Sequence, residues 1–499
     1  MRMHHKGRLV VCFLLALTCS FVVRNHKSAL FQRDSSSIVP PKKPNIVFIL
    51  ADDLGWGDVG YQNSLVITPT IDKLAREGVI LNQSYVPQSC SPSRAAIMSG
   101  YYPYRLGFQE GPLIQNMPTG VPLHLTLLPR KLKQLGYSTY MVGKWHLGFC
   151  KKEYTPNGRG FDHFYGFYGG GEKYFTHVLG RGLDLQYDFE PDRTQNGTYS
   201  TYLFSDKAVE FIKTHDKSKP FFLYLAFQSV HSPLQVPEKY TDMYPSVTNE
   251  NRRIKLGMIT AMDDSIAKLV NALRRHELWD NTLIVFSTDN GGPQNERFEG
   301  SNWPLRGTKK SLFEGGTRAV GFIHGSMLEK TGYVNNQLIH AVDWHPTLST
   351  VAGAKKLDPE MDGLNVWNTL RKNEPSPRKE FMYNILERIP IAGIRVNNYK
   401  LIVGNPYFTA CRVPPPETKM ELDVECTSLI RNGVYLYDLE NDPTESFNLA
   451  EKMPQRVKEM NTRIEEYKKK LVPTLDPGIS VALLSDPQNF GGVWAPGWC

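Results

Sequence analysis

Four short apolar runs in this chain are each followed at once by side chains able to do chemistry. "NIVFIL" (45–50) leads into Ala51-Asp52-Asp53, and "LIVF" (283–286) into Ser-Thr-Asp289-Asn290. "YSTYMV" (137–142) leads into Gly-Lys144-Trp-His146, and "FFLYLAF" (221–227) into Gln-Ser-Val-His231. An Asp pair and an Asp-Asn pair brought together gather three carboxylates, which repel unless a cation lies between them. Carboxylate and amide oxygens with no cysteine or histidine adjacent suit a hard ion, Ca²⁺ or Mg²⁺, with Ca²⁺ the better match for a secretory compartment. "DD" and "DNGG" are also ordinary turn formers after strands, so the reading rests on the two occurring together. Lys144, His146 and His231 stand at equivalent positions and are candidates for the same site. Lys309 or Lys310 of "RGTKKSLFEGG" could line it as well.

"SCSPSRAAIMSG" (89–100) adds a cysteine at the start of a short helix. Ser91 or Cys90 is expected to cap that helix, with Pro92 in its first turn and Arg94 one turn along beneath Cys90. Free N–H groups at a helix start attract an anion, and Arg94 adds a fixed positive charge. Position 90 is therefore where a nucleophile for a sulfate or phosphate ester would stand. An ordinary half-buried cysteine is the alternative.

These groups need a scaffold that brings strand ends together. Apolar runs alternating with helical patterns predict an α/β fold with a mostly parallel sheet covered by helices, where ligands bind beyond the carboxyl ends of the strands. "TPTIDKLAREG" predicts a helix with Thr68 as N-cap, Pro69 in the first turn and Gly78 as the stop. "MITAMDDSIAKLVNALRRHEL" predicts a longer amphipathic helix over 258–278. Near residue 375 the texture changes. "GIRVNNYKLIVG" and "GVYLYDLEND" read as antiparallel strands and "QRVKEMNTRIEEYKKKL" as a surface helix, a smaller α+β unit. The expected division is a signal peptide at 1–24, a linker at 25–44, a catalytic domain at 45–374 and the smaller domain at 375–499.

The leader is basic, then apolar from Leu9 to Val23, too short for a comfortable membrane span; an uncleaved anchor is the alternative, and no second span is visible. The net charge of +8 is halved if Arg2, Lys6, Arg8 and Arg24 leave with it. A mildly basic surface suits an anionic substrate, but no Lys/Arg cluster interleaved with aromatics supports nucleic-acid binding. Beyond the leader stand Cys90, Cys150, Cys411, Cys426 and Cys499, an odd number. Cys411 and Cys426 flank a Pro-rich loop and are the expected disulfide; Cys150 and Cys499 could pair or stay free. Asn82 and Asn196 lie in N-glycosylation sequons.

The motifs together resemble the sulfatase family. "CSPSRAAIMSG" is similar to its C-x-P-S-R signature with the trailing hydrophobic-[ST]-G, "GKWHLG" to its second signature, and "ADDLGWGD", "STDNGG" and "GTKKSLFEGG" follow in the family's order. The resemblance runs over about residues 45–480 and is nearest to the arylsulfatase B, I and J group. It implies an alkaline-phosphatase-like fold and hydrolysis of sulfate esters. It further implies that Cys90 becomes formylglycine (3-oxoalanine) through the formylglycine-generating enzyme of the endoplasmic reticulum. One hydroxyl of the hydrated aldehyde would attack sulfur, and the second would help expel sulfate. Carried over, Asp52, Asp53, Asp289 and Asn290, with the converted Cys90, would bind one Ca²⁺. Arg94 and Lys144 would hold the diol and the sulfate, and His146 would take a proton. His231 and Lys309 would contact sulfate and protonate the leaving oxygen; Lys309 is preferred because it fits G-x-K-x₄-E-G-G. The implied substrate is an aryl sulfate or a sulfated glycosaminoglycan sugar such as N-acetylgalactosamine 4-sulfate, in lysosomes or outside the cell. A phosphate or phosphonate monoester hydrolase and a silent sulfated-glycan binder are the competing readings.

Overall fold

The first strand, β1 (Asn45–Ala51), is buried along its whole length, which explains its unbroken apolar run. Ile46, Phe48 and Leu50 point into one core, and Val47, Ile49 and Ala51 into another. The computed structural model describes residues 43–294, 299–406, 411–415, 417, 433–474 and 483–499. The leader at 1–24 and most of the linker lie outside them.

The other main strands of the large sheet are β2 (Val79–Leu81), β3 (Ser138–Lys144), β4 (His163–Phe167), β5 (Phe221–Ala226), β6 (Thr282–Thr288), β7 (Gly321–His324) and β8 (Tyr333–Asn335). The lateral order is β8-β2-β7-β6-β1-β5-β3-β4, extended by two short strands at 186–187 and 190–191. From β6 to β4 every pairing is parallel, and β7 is antiparallel to β6. The four apolar runs thus form adjacent strands within a residue or two of their expected bounds.

One face is covered by α1 (Pro69–Glu77), α3 (Ser200–Thr214) and α4 (Glu250–Arg275), through side chains such as Leu74, Phe211 and Leu269. The other carries α2 (Cys90–Ser99) and α5 (Trp344–Val351), through Ile97 and Leu348. Phe48 meets Trp344 edge to face at 5.6 Å and is fully buried. Phe48→Ala is expected to cost about 3–5 kcal/mol through lost burial and the cavity left behind. The urea midpoint checks this, and a cost under about 1 kcal/mol would show that the contact is dispensable.

The helix starts differ from expectation. Thr68 precedes α1 but does not cap it: its hydroxyl donates to Asp72 Oδ1 at 2.9 Å and accepts from the Gly60 N–H at 2.7 Å. Neither Ser91 nor Cys90 caps α2. The preceding residue is Ser89, extended and without a side-chain cap bond, while Ser91 Oγ accepts from the Leu113 N–H at 3.0 Å. α4 begins two turns before the expected Met258, capped by Asn249, whose side chain accepts from the Arg252 N–H.

A second, antiparallel sheet of β9 (Glu380–Leu386), β10 (Ile391–Val396), β11 (Tyr399–Gly404) and β12 (Gly433–Asp438) follows in chain order. It carries α6 (Pro454–Lys468), and its Phe381, Ile394 and Leu401 join the core under α2 and α5. Between the sheets Lys400 is buried against Glu314 at 3.0 Å and Glu445 at 2.8 Å. Cys150 and Cys499 are disulfide-bonded. Cys411 is also disulfide-bonded, but its expected partner Cys426 lies outside the described residues. Among the described residues no helix is long and apolar enough to cross a membrane.

Candidate active site

Because β6, β1, β5 and β3 are parallel neighbours, their carboxyl ends lie side by side and deliver four loops to one place. Asp289 and Asn290 arrive from β6, Asp52 and Asp53 from β1, His231 from β5, and Lys144 and His146 from β3. α2 starts beside them with Cys90. Above lies a cavity of about 580 Å³, lined by Cys90, His146, His231 and Lys309 and walled by loops at 112–115, 170–173 and 178–180.

Charges at the floor are paired tightly. Arg94 donates from Nε and Nη2 to Asp289 Oδ2 at 3.1 and 2.8 Å, and from Nη1 to the Lys144 carbonyl at 2.9 Å. Lys144 Nζ reaches Asp52 Oδ2 at 2.5 Å, and Lys309 Nζ reaches Asp53 Oδ1 at 2.6 Å. Cys90 Sγ sits between these pairs, 3.5 Å from Asp52 Oδ1 and 3.2 Å from Lys309 Nζ. Arg94, Lys144, Asp52, Asp289 and Asn290 are fully buried. All the expected site residues are therefore in one cluster, and Lys309 rather than Lys310 faces Cys90.

Burial sets the protonation states. It pushes the Cys90 thiol up, with Asp289 adding to the rise, so the thiol stays neutral. Burial also works against the Asp53 carboxylate, but Lys309, His231 and Lys255 outweigh it and hold Asp53 well below the usual range. Burial works against the Lys309 ammonium, but Asp53 outweighs it and raises the group well above its ordinary value. His146 is pushed well down by burial, then by Lys144 and Arg94, and is neutral. Its Nε2 lies 2.7 Å from the Leu113 carbonyl and must donate there, so Nδ1 carries the lone pair, and that atom has no partner among the described residues. His231 is pushed down to about 3 by burial. Its Nδ1 donates to the Ser232 carbonyl at 2.7 Å, which leaves Nε2 3.7 Å from Asp53 Oδ2.

Asp53 and His146 both stand at positive φ, 60° and 57°. That conformation is costly for residues other than glycine and persists only where neighbours enforce it. For Asp53 the neighbours are Asp289 Oδ1, which accepts the Asp53 N–H at 3.3 Å, and Lys255 Nζ, which donates to the Asp53 carbonyl at 3.3 Å and the Val230 carbonyl at 2.6 Å. The sequence reading missed Lys255. It lies in the two turns of α4 that the reading left out, and a lysine among the buried positions of that helix was the available signal.

A hard divalent cation fits these residues. Asn290 Nδ2 donates to Asp53 Oδ1 at 2.7 Å and to the Gly291 carbonyl at 3.0 Å, leaving Asn290 Oδ1 buried without a partner among the described residues. Such an orphaned oxygen costs free energy unless something binds it. Ligand atoms of Asp52, Asp53, Cys90 and His231 lie within 4.8 Å of one another, which brings His231 closer to the oxygen cluster than the sequence suggested. Asp289 commits Oδ2 to Arg94 and Oδ1 to the Asp53 N–H.

The motifs gathered here lie inside a stretch, residues 44–354, that matches the family model described as Sulfatase. This chain is a sulfatase. Arylsulfatase J of Mus musculus is 38% identical to it over 94% of this chain and 83% of its own. N-acetylgalactosamine-6-sulfatase of Mus musculus is 29% identical, covering 92% and 91% of the two chains. Among solved structures, Ps i-CgsB in complex with k-i-k-neocarrahexaose is 31% identical with a TM-score of 0.75, over 88% of this sulfatase and 97% of that chain. The reaction is accordingly hydrolysis of sulfate esters, and the Asp, Lys, His and Arg cluster is its candidate machinery.

Proposed function

We propose that this sulfatase acts on a sulfated saccharide, that Cys90 is converted to formylglycine in the secretory pathway, and that one Ca²⁺ is held by Asp52, Asp53, Asp289, Asn290 and the converted residue. The observation that carries the reading is the placement of Cys90. It is a buried side chain at the floor of an open cavity, between a carboxylate and an ammonium, at the start of a helix. Hydrated formylglycine there would supply two hydroxyls, one to attack sulfur and one to be deprotonated. Bound Ca²⁺ would supply positive charge for the sulfate oxygens.

The chain's own groups do the rest. Lys144 and Arg94 hold Asp52 and Asp289 in register and place fixed positive charge beneath the sulfate. His146 accepts a proton at Nδ1, the nitrogen its Leu113 bond leaves free. Lys309 and His231 line the cavity; Lys309, whose ammonium Asp53 favours, donates to the leaving oxygen, and His231, with its proton at Nδ1, contacts the sulfate and donates from Nε2 only once protonated. The 580 Å³ cavity has room for a sugar ring above the sulfate, and the Ps i-CgsB structure with a neocarrahexaose supports a saccharide in this fold. We assign a glycosaminoglycan unit such as N-acetylgalactosamine 4-sulfate, in the lysosome or outside the cell. Of the two sequons, Asn196 is exposed, whereas the Asn82 amide is bonded to Asn336 and Arg318, so Asn196 is the glycan site.

The deciding experiment is the mass of the residue-90 peptide from protein made in a secretory host, with sulfate release assayed on the same preparation. The formylglycine form is lighter by the exchange of H₂S for O. Unmodified cysteine in a preparation that still hydrolyses sulfate esters would end the formylglycine reading. Chelation should abolish turnover and lower Tm, both restored by Ca²⁺, because Asn290 Oδ1 and the carboxylates lose their partner. Full activity after exhaustive chelation would remove the metal from the scheme. A matched phosphate ester hydrolysed faster than the sulfate ester would favour the phosphatase reading.

A further inference from the structure

The cavity wall at 178–180 belongs to a small hairpin, strands Val178–Leu179 and Gly182–Leu183, with Gly180 and the exposed Arg181 at its tip. Two strands of two residues each do not hold themselves in water. On one side the Lys173 N–H donates to the Val178 carbonyl at 3.0 Å, and on the other they are held by the segment 491–499. The Leu183 N–H donates to the Gly492 carbonyl and the Trp494 N–H to the Leu183 carbonyl, both at 2.9 Å, so the segment is tied to the hairpin by a parallel bridge at Val493. Trp494 Nε1 donates to the Leu179 carbonyl at 2.9 Å, and Gln186 Nε2 donates to the Trp494 carbonyl at 3.0 Å. The same segment is fastened near the catalytic loop. The Gly497 and Trp498 N–H groups donate to the Cys150 carbonyl at 2.7 and 3.0 Å, and Cys499 is bonded to Cys150. Phe149, three residues beyond His146, packs edge-on against Trp494 and Trp498 at 6.2 and 6.0 Å.

We infer that the 491–499 segment is a strap setting the position of the 178–183 hairpin over the cavity, with Trp494 as the positioning residue, and that it governs affinity for the part of the substrate beyond the sulfate. The inference rests on the saccharide substrate proposed above. A small aryl sulfate fills only the floor and does not need the hairpin, whereas a longer saccharide meets Val178, Leu179 and Gly180. Trp494 touches neither Cys90 nor the charged cluster, so its loss leaves the chemical step alone.

The test compares wild type with Trp494→Ala and Trp494→Phe, the latter keeping a ring but losing the indole N–H. Two readouts are taken: trypsin cleavage after Arg181, identified by mass, and steady-state kinetics on an aryl sulfate and on a sulfated tetrasaccharide. In Trp494→Ala, cleavage after Arg181 and KM for the tetrasaccharide are each expected to rise roughly tenfold, the effect of one lost hydrogen bond and its ring contact. Values of kcat and both aryl sulfate constants should stay within about twofold, and Trp494→Phe should fall between. Unchanged cleavage after Arg181 overturns the strap. An equal fall in kcat on both substrates, without a change in KM, also overturns it, because that is loss of folded enzyme. If wild type does not hydrolyse the tetrasaccharide, the saccharide reading fails separately and the cleavage rate alone decides the strap.

Discussion

Cys90→Ala is expected to leave a folded protein that has lost roughly a thousandfold or more of its sulfate ester turnover. The residue faces an open cavity, so removing sulfur creates no closed void, and the stability cost should stay below about 1 kcal/mol. Its α2 neighbours Ala95, Ala96, Ile97 and Met98 are packed in the core without using the thiol. Turnover on an aryl sulfate, measured beside the thermal unfolding midpoint, separates lost chemistry from lost fold. Activity within tenfold of wild type at an unchanged midpoint would mean that the nucleophile lies elsewhere.

Arg94→Lys should damage both fold and rate. The guanidinium makes two bonds to Asp289 Oδ2 and one to the Lys144 carbonyl, with Asp52 Oδ2 a further 3.7 Å away, all without solvent. A lysine ammonium keeps the charge but cannot reproduce the planar fork. Asp289 and the Lys144 carbonyl would then be left partly unsatisfied in the interior, a cost of about 3 kcal/mol. Because Asp289 also fixes the Asp53 N–H, and the Lys144 carbonyl lies on the strand leading to His146, kcat should fall roughly a hundredfold or more. Urea unfolding and kcat measured together check this. A variant within about 1 kcal/mol of wild type would show that the fork contributes charge only.

The strands were legible because a strand buried on both faces leaves an unmistakable run, and β1, β3, β5 and β6 are four of them. Their carboxyl ends are chemically loaded, so the members of the site are legible in the sequence alone. The caps were not legible. Ser, Thr and Cys near a helix start are interchangeable by pattern, and the Asp72 carboxylate one turn on and the distant Leu113 N–H took the hydroxyls of Thr68 and Ser91. Lys255 escaped because "ENRRIKLG" reads as polar surface, whereas Arg252 there is buried on Asp58 at 2.7 Å and Lys255 on the backbone of Asp53. The Cys150–Cys499 bond joins residues 349 positions apart, a separation at which spacing carries no signal.

The central position of β1 also sets a clock. Its two neighbours are β5 and β6, so the middle of the sheet cannot close until Thr288 has been made. Cys90, only 2% exposed in the complete fold and covered in part by Lys309, is buried no sooner than that. Roughly 200 residues separate the two points, and at about 5–20 residues per second position 90 stays open for at least some 10–40 s during synthesis. Any conversion of this cysteine therefore competes with folding in time, and a synonymous change that speeds translation between codons 90 and 288 should lower the fraction of enzyme that emerges active without altering a single residue of it.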